Sequence, residues 1–319
     1  MTTTRTIDDG RSKPQTTQQI IDQFMIDQRL PAEFTNMATE YFLPLADHIG
    51  QRHFQQQQTQ VVGINGAQGT GKSTLSGLLK RLLHAKQLEC VVLSIDDLYL
   101  TRAQRADLGR DIHPLLQTRG VPGTHDLALG LLLLDTLKAA DTHSRIHIPR
   151  FDKAQDDRRA LADWQLHAGP VDVIILEGWC VGARPASLSG APINALEQQH
   201  DADGRWRDYV EQQLQAYQRL FRHIDLLVML KAPSMDSVME WRWLQEEKLQ
   251  EEQQQEHSRP GAPAAIMDKA ELRWFIMHYE RLTRMMWQTL PLHADVVFEL
   301  DDAHNIAAAS YRHSPNATP

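Results

Sequence analysis

The chain has 319 residues, of which 42% are hydrophobic and 23% charged, a balance typical of a soluble globular protein with one large α/β domain or two small ones. Its formal net charge of -8 makes the surface as a whole repel nucleic acid and anionic membranes. The sequence has no local basic patch that would offset this repulsion. We therefore expect neither a nucleic acid nor a membrane as a partner.

The two cysteines, Cys90 and Cys180, lie in apolar runs, where a buried and reduced thiol is the usual state. The polar N-terminus lacks the apolar segment of a secretory signal, and no apolar run is long enough to cross a bilayer. Together these features predict a cytoplasmic protein.

The N-terminal region is predicted to begin with a polar, disordered tail over residues 1–18. Apolar residues then recur at helical spacing from Ile20 and Phe24 onward, which indicates a helical extension over residues 19–58. We expect this extension to be broken near Pro31 and Pro44, because proline interrupts a helix.

Residues 59–305 alternate apolar strand candidates with helical segments. This alternation is typical of a three-layer α/β/α fold, in which helices cover both faces of a mainly parallel sheet. The predicted strands are VVGI (61–64), ECVVLSIDD (89–97), RIHIPRFD (145–152), VDVIILEG (171–178), IDLLVMLKA (224–232) and ADVVFEL (294–300). Residues 236–257 are predicted to form a solvated helix followed by the loop SRPGAPAA, and residues 306–319 a C-terminal tail.

One glycine-rich segment, residues 66–73, fits the pattern G-x-x-x-x-G-K-[ST] and lies between a predicted strand and a predicted helix. Its glycines let backbone N–H groups turn toward phosphates, and the following helix N-terminus favours negative charge. Lys72 would contact the β- and γ-phosphates of ATP, while the Ser73 hydroxyl would bind Mg²⁺. The predicted nucleotide-binding residues are Gly66, Ala67, Gln68, Gly69, Thr70, Gly71, Lys72, Ser73 and Thr74.

Acidic residues follow two of the predicted strands at the sheet edge where open α/β sheets bind ligands. Glu177 comes directly after VDVIIL, and we expect it to orient Mg²⁺; the alternative is a carboxylate that caps a loop or helix. Asp96 and Asp97 end the second apolar run, and Asp96 is the candidate general base for an acceptor hydroxyl. Alternatively, both aspartates only cap the next turn.

With the glycine-rich loop, SIDDLYL and ILEGW in place, the sequence resembles the P-loop kinases that include phosphoribulokinase, uridine kinase and pantothenate kinase. The resemblance extends furthest to plant-type D-glycerate 3-kinase and its fungal and bacterial relatives, over about residues 20–305. Five segments in matching order carry it: SIDDLYLT (94–101), TRGVPGTHD (118–126), IPRFDKAQDDR (148–158), LEGWCVGARP (176–185) and EWRWLQEE (240–247).

The resemblance implies roles for matching positions. Asp96 would be the base, and Arg242 would lie on a helical lid, about residues 234–265, that closes over the phosphates. The acceptor pocket would be formed by Tyr99, Arg119, His125, Asp126, Arg150, Asp152 and Lys153. Since glycerate is an anion, arginine and lysine side chains in this set are suited to its carboxylate.

The sequence therefore predicts a kinase that uses ATP and Mg²⁺ to phosphorylate a small hydroxyl-bearing metabolite, with D-glycerate favoured as acceptor. One alternative is a kinase for a nucleoside, pantothenate or a sugar phosphate. Another is a regulatory ATPase that acts through protein partners and needs no base for an acceptor hydroxyl.

Overall fold

The computed structural model describes residues 15–255 and 267–312. The strands in these ranges are β1 Gln60–Gly66, β2 Cys90–Ser94, β3 Arg145–Ile148, β4 Phe151–Asp152, β5 Asp157–Arg158, β6 Gln165–Ala168, β7 Val173–Gly178, β8 Leu226–Lys231, β9 Val296–Leu300 and β10 Ile306–Tyr311. The α-helices are α1 Thr17–Gln28, α2 Phe34–Met37, α3 Leu43–Gln56, α4 Lys72–Ala85, α5 Arg102–Asp111, α6 Leu127–Lys138, α7 Ala195–His200, α8 Arg205–Phe221, α9 Met235–Gln255 and α10 Lys269–Thr289.

The central sheet has six strands in the order β10-β9-β8-β1-β7-β2. All neighbouring pairs are parallel except β9 and β10. Helices cover both faces, so the predicted α/β fold with a mainly parallel sheet is confirmed. Because the parallel strands end at one edge, the turns after β1, β2 and β7 meet there.

Two hydrophobic cores lie on opposite faces of this sheet. Neighbouring residues of a strand point to opposite faces, so Ile174 belongs to one core and Ile175 to the other. Both side chains are fully buried. This explains why the central strands are continuous apolar runs in the sequence, since neither face is exposed to water. Cys90 and Cys180 are free and buried, as predicted.

The N-terminal helices pack against one face of the domain. Phe24 of α1 lies over α4, where a Cβ added at Gly77 would be 3.2 Å from the Phe24 ring. Pro31 falls in the turn after α1, as expected, but the predicted break at Pro44 is wrong. The chain stays helical from α2 through a π-helical turn, Ala38–Phe42, into α3. Pro44 lies at the start of α3, where its missing N–H is tolerated.

Two predicted boundaries and one predicted strand need correction. Helix α1 begins at Thr17, inside the tail predicted over residues 1–18, because Thr16 forms a capping box with Gln19. The C-terminal tail predicted over residues 306–319 is wrong for Ile306–Tyr311, which forms the antiparallel edge strand β10. The segment RIHIPRFD does not join the central sheet, since its alternating exposed and buried residues form two small antiparallel pairs, β3 with β6 and β4 with β5.

The predicted charged helix is α9, Met235–Gln255. The predicted loop SRPGAPAA lies outside the described residues. In the described ranges, no helix combines the length and apolar character needed to cross a membrane.

Candidate active site

The glycine-rich segment forms a loop between the end of β1 and the start of α4. Gly69 and Gly71 have φ values of 80° and 85°, in the left-handed region that favours glycine. Gly71 is the N-cap of α4 and has no side chain to cap the first N–H groups. These groups therefore remain available for an anion, as in a phosphate-binding loop.

Lys72 is the first residue of α4, and its side chain bends back over the loop. Its Nζ donates a hydrogen bond of 2.9 Å to the carbonyl oxygen of Ala67. Burial lowers the pKa of Lys72, while the nearby carboxylates of Glu177 and Asp96 partly oppose that shift. A phosphate bound by the loop would add negative charge and favour the ammonium form further.

Ser73 and Glu177 lie next to each other at the edge of the sheet. Glu177 pairs in register with Ile64 of β1 on one side and Ser94 of β2 on the other, so it lies beside the glycine-rich loop. The Ser73 hydroxyl donates to Glu177 Oε1 at 3.4 Å. Burial raises the pKa of Glu177, against the lowering effect of the Lys72 ammonium. A metal ion at this carboxylate would favour its ionised form.

Asp96 lies in the short 3₁₀ turn Ile95–Leu98 that follows β2. It accepts hydrogen bonds from the Tyr99 hydroxyl at 2.9 Å and from Lys153 Nζ at 2.7 Å. Burial alone would raise the pKa of Asp96, but the charge of Lys153 and these two hydrogen bonds outweigh burial and lower it to about 2. The carboxylate is therefore ionised at neutral pH and able to accept a proton.

The glycine-rich loop faces a cleft of about 660 Å³, and the carboxylates of Asp96 and Glu177 face the same cleft. Its described lining residues are Gln68, Gly69, Gly71, Lys72, Ser73, Thr74, Ser94, Asp96, Asp97, Tyr99, Arg119, Lys153, Glu177, Gly178, Trp179, Arg242, Gln245, Lys248, Met267, Phe275 and Tyr279. Five of these side chains are cationic and three acidic, on a chain whose net charge is -8. A cationic cleft on an acidic protein concentrates anionic ligands locally.

Three residues predicted to bind nucleotide, Gly66, Ala67 and Thr70, build the loop from behind rather than lining the cleft. Thr70 donates a hydrogen bond of 2.9 Å to the carbonyl of Ala67, which also accepts from Lys72. A Cβ added at Gly66 would lie 2.5 Å from the Thr70 hydroxyl. Their part is to hold the loop in shape.

Four residues predicted to line the acceptor pocket are also behind the cleft wall. His125 is buried, stacks on the Tyr99 ring at a centroid distance of 4.5 Å, and contacts the Tyr217 hydroxyl through Nδ1 at 2.6 Å. Asp126 caps α6 and forms an ion pair with Arg158.

Arg150 and Asp152 are likewise occupied by protein partners. Arg150 donates to Asp97 at 2.7 Å, while Asp152 accepts from the backbone N–H groups of Ala154 and Gln155. These bonds, to Asp97 for Arg150 and within its own turn for Asp152, explain why the two side chains support the wall and do not face the cleft.

Arg242 lines the cleft from α9, and this helix is held against the glycine-rich loop. A Cβ added at Gly69 would lie 2.7 Å from Cβ of Trp241. The Trp241 ring stacks on the His304 ring with a centroid distance of 3.8 Å. His304 Nε2 donates to the carbonyl oxygen of Gly69 at 2.7 Å. The Arg242 guanidinium forms an ion pair with Glu246 one turn further along α9.

Several aromatic residues of the cleft were not predicted from the sequence. Tyr279 comes from α10, and its hydroxyl donates to the carbonyl oxygen of Arg119 at 3.1 Å. The Trp179 ring packs edge-on against the Tyr279 ring with a centroid distance of 4.8 Å, and its Nε1 donates to the carbonyl oxygen of Gly120. The position of Trp179, two residues after Glu177 at the end of β7, was a usable signal. Nothing in the spacing of α10 pointed to Tyr279.

No protein-family profile matches the chain. Among curated proteins, the "uncharacterized kinase mug58" of Schizosaccharomyces pombe is 33% identical over 234 residues, which are 69% of this chain and 78% of that protein. The chloroplastic D-glycerate 3-kinase of Arabidopsis thaliana is 32% identical over 191 residues, 57% of this chain and 40% of that protein.

Among solved structures, D-glycerate 3-kinase from Cryptococcus neoformans superposes with a TM-score of 0.68 at 25% identity, covering 85% of this chain and 98% of that one. Among the curated proteins, a uridine kinase of Limosilactobacillus reuteri is 29% identical over 125 residues, 39% of this chain and 51% of that protein. The chain therefore belongs to the family of P-loop kinases that includes D-glycerate 3-kinase and uridine kinase.

Proposed function

We propose that this protein is an ATP-dependent kinase that transfers the γ-phosphate of ATP to a hydroxyl group of D-glycerate. The observation that carries the proposal is the placement of Asp96 in the same cleft as Lys72 of the phosphate-binding loop, with the cations Arg119 and Lys153 on the acceptor side. A base beside a triphosphate site, with positive charge next to it, suits an acceptor that carries both a hydroxyl and an anionic group.

In this reaction the acceptor hydroxyl oxygen forms a bond to the γ-phosphorus while the bond from that phosphorus to the β–γ bridging oxygen breaks. Asp96 accepts the hydroxyl proton on its carboxylate, and ADP leaves with the bridging oxygen. Lys72 and Arg242 lie where they can neutralise charge on the phosphate oxygens, which is the main source of catalysis in phosphoryl transfer. The proton passes to solvent after the phosphate ester departs.

The residues present fit a magnesium ion. Ser73 and Glu177 offer a hydroxyl and a carboxylate oxygen 3.4 Å apart. The described residues contain no group of three or more His, Cys, Asp or Glu that could hold a metal by itself. This fits Mg²⁺, which usually takes one or two protein ligands and completes its shell with phosphate and water. When bound, Mg²⁺ supplies positive charge to the phosphate oxygens.

D-glycerate is proposed as acceptor for two reasons. The acceptor side of the cleft offers two cations, Arg119 and Lys153, which is more positive charge than a neutral nucleoside would need. Two of the similar proteins carry the name D-glycerate 3-kinase, one as a curated relative and one as a solved structure.

The test is ADP release by the purified protein with D-glycerate, uridine, pantothenate and a sugar phosphate, with the product identified by phosphorus NMR. We expect transfer to D-glycerate in preference to the others. Asp96→Asn should still bind ATP but lose about 100-fold or more in kcat, as expected on removal of a positioned base.

The matched control is Asp107→Asn, which removes an exposed carboxylate outside the cleft lining and should leave kcat unchanged. Transfer to another compound of the panel would refute the assignment of glycerate. Hydrolysis that responds only to a protein partner would support a regulatory ATPase and overturn the kinase assignment.

A further inference from the structure

Arg105 is a fully buried arginine, 1% exposed, that belongs to α5 and does not reach the cleft. Its guanidinium donates to three separate backbone carbonyls: Leu100 at 3.2 Å, Gln117 at 2.8 Å and Asp156 at 2.6 Å. It also forms an ion pair of 2.9 Å with the Asp156 carboxylate. Such a buried charge is costly unless it is paired and hydrogen-bonded, and here it is both.

Each chain segment bound by Arg105 carries one cleft residue of the acceptor side. Leu100 follows Tyr99, and Gln117 precedes Arg119 by two residues. Asp156 lies in the β4–β5 hairpin that also carries Lys153. One guanidinium therefore sets the relative positions of the three segments that present Tyr99, Arg119 and Lys153 to the cleft.

Asp156 connects this buried group to the cleft. One carboxylate oxygen, Oδ2, binds Arg105, and the other, Oδ1, binds Arg119. The backbone of Asp156 has a φ of 54°, in the left-handed region that, apart from glycine, asparagine and aspartate adopt most readily, and its carbonyl oxygen also accepts from Arg105. The planar guanidinium of Arg105 also lies 5.8 Å from the Phe151 ring centroid, and that of Arg119 lies 5.7 Å from the same ring.

We propose that Arg105 is a positioning residue for the acceptor: through Asp156 it aims the Arg119 guanidinium at the anionic group of the substrate. The inference rests on the proposed kinase function and extends it, because it assigns the acceptor's negative charge to Arg119. Arg105 itself touches neither substrate nor nucleotide. Its fork of donors is the feature required, since a lysine ammonium cannot bind three carbonyls and a carboxylate in this arrangement.

The experiment measures the acceptor KM, kcat and the Kd of ATP for Arg105→Lys, Arg105→Ala and Asp156→Asn. We expect the acceptor KM to rise about tenfold or more, the loss typical of a hydrogen bond to a charged group, with the Kd of ATP unchanged within about twofold. Millimolar guanidinium should restore part of the lost affinity in Arg105→Ala and none in Asp156→Asn.

The controls are Arg110→Lys and Asp107→Asn, an exposed ion pair on the same helix, which should change neither constant. If Arg105→Ala fails to fold, Asp156→Asn carries the test, because the Asp156 side chain is 36% exposed and its substitution leaves the core intact. Equal weakening of ATP and acceptor binding, or a parent-like acceptor KM in the folded variants, would overturn the proposal.

A second measurement separates this inference from the proposed function. Deuterium uptake by amides of residues 153–158 should increase in Arg105→Ala and Asp156→Asn but not in Arg110→Lys, whichever acceptor the protein uses. If the parent phosphorylates another acid of the panel, glycerate is wrong and the KM comparison is made with that acid. Unchanged uptake would show that Arg105 does not hold the hairpin, and the inference would fail on its own.

Discussion

Lys153 Nζ lies 2.7 Å from Asp96 Oδ2, so a largely exposed lysine forms an ion pair with a partly buried carboxylate of the cleft. The Lys153 side chain is 62% exposed, whereas Asp96 is half as exposed at 31%. In the proposed reaction, a base paired with an ammonium is weak, so the acceptor must share or displace Lys153 before the proton moves. The acceptor's anionic group is well suited to do this.

Replacing Lys153 with methionine should raise the pKa of Asp96. Burial, the largest influence, would then be opposed chiefly by the Tyr99 hydrogen bond. In the proposed mechanism Asp96 accepts a proton only when it is ionised, so activity falls as pH drops through its pKa, which is about 2 in the parent. The acid limb of kcat/KM should therefore move to higher pH in Lys153→Met. Lys86→Met, at a surface ion pair with Asp47, should leave the profile in place.

Substitution of Gly120 tests the contact between α10 and the loop that carries Arg119 and Gly120. Its φ is 140°, and an added Cβ would lie 2.2 Å from the Tyr279 hydroxyl. Gly169 also has a positive φ, 96°, but a Cβ there would meet nothing within 4 Å. Both alanine variants carry backbone strain, so their difference reports the clash with Tyr279. Gly120→Ala should lose about 1–3 kcal/mol more in urea unfolding than Gly169→Ala and should raise the acceptor KM.

Equal stability losses in the two alanine variants would mean that Tyr279 moves aside without cost. In that case the hydrogen bond from the Tyr279 hydroxyl to the Arg119 carbonyl does not constrain the loop that carries Arg119 and Gly120.

The metal assignment predicts a specific change in magnesium dependence. Chelation with EDTA should abolish turnover of the parent. Glu177→Gln removes one charged oxygen ligand and should raise the half-saturating Mg²⁺ concentration by about tenfold or more, the scale seen when groups around a metal are removed. Glu299→Gln, at an exposed ion pair with Lys231, is the control. An unchanged Mg²⁺ requirement in Glu177→Gln would remove this residue from the metal site.

The meeting of Lys72, Asp96 and Glu177 in one cleft could be predicted from the sequence, for a physical reason. Parallel strands end at one edge of their sheet, so residues that follow β1, β2 and β7 must converge. Lys72, Asp96 and Glu177 could be placed together from the strand pattern alone. The strand pattern could not predict the short 3₁₀ turn after β2, or that Asp96 would bind Tyr99 and Lys153.

The residues expected around an acceptor were placed less well, because motif position does not say whether a side chain faces the cleft or packs behind its wall. Arg119 and Lys153 face the cleft, while Arg150 from the same motif set binds Asp97. Tyr279 could not be found at all, since it reaches Arg119 across 160 residues of sequence. Strand β10 was missed because five of its six residues are not buried and it lacks an apolar pattern.

Burial of His125 predicts an acid-sensitive fold. This side chain is 5% exposed, and burial lowers its pKa to about 4. The unfolded chain has an ordinary histidine pKa near 6.5, so between about pH 6.5 and 4 the unfolded state binds more protons than the native state. The contribution of His125 to the free energy of unfolding is fully present above that window and is lost as pH falls through it. Its size is on the order of 3 kcal/mol.

His278 is buried too, with a pKa lowered to about 4, and burial also lowers the pKa of His48, His293 and His304. His125→Gln should therefore remove part of the pH dependence of the unfolding free energy in this window, while its side-chain amide can still form a hydrogen bond with the Tyr217 hydroxyl. The comparison is urea unfolding of parent and variant across the same pH range. His84→Gln changes a histidine that is 75% exposed and should keep the parent slope. If His125→Gln keeps that slope as well, His125 titrates normally in the native state and its burial is not the source of acid sensitivity.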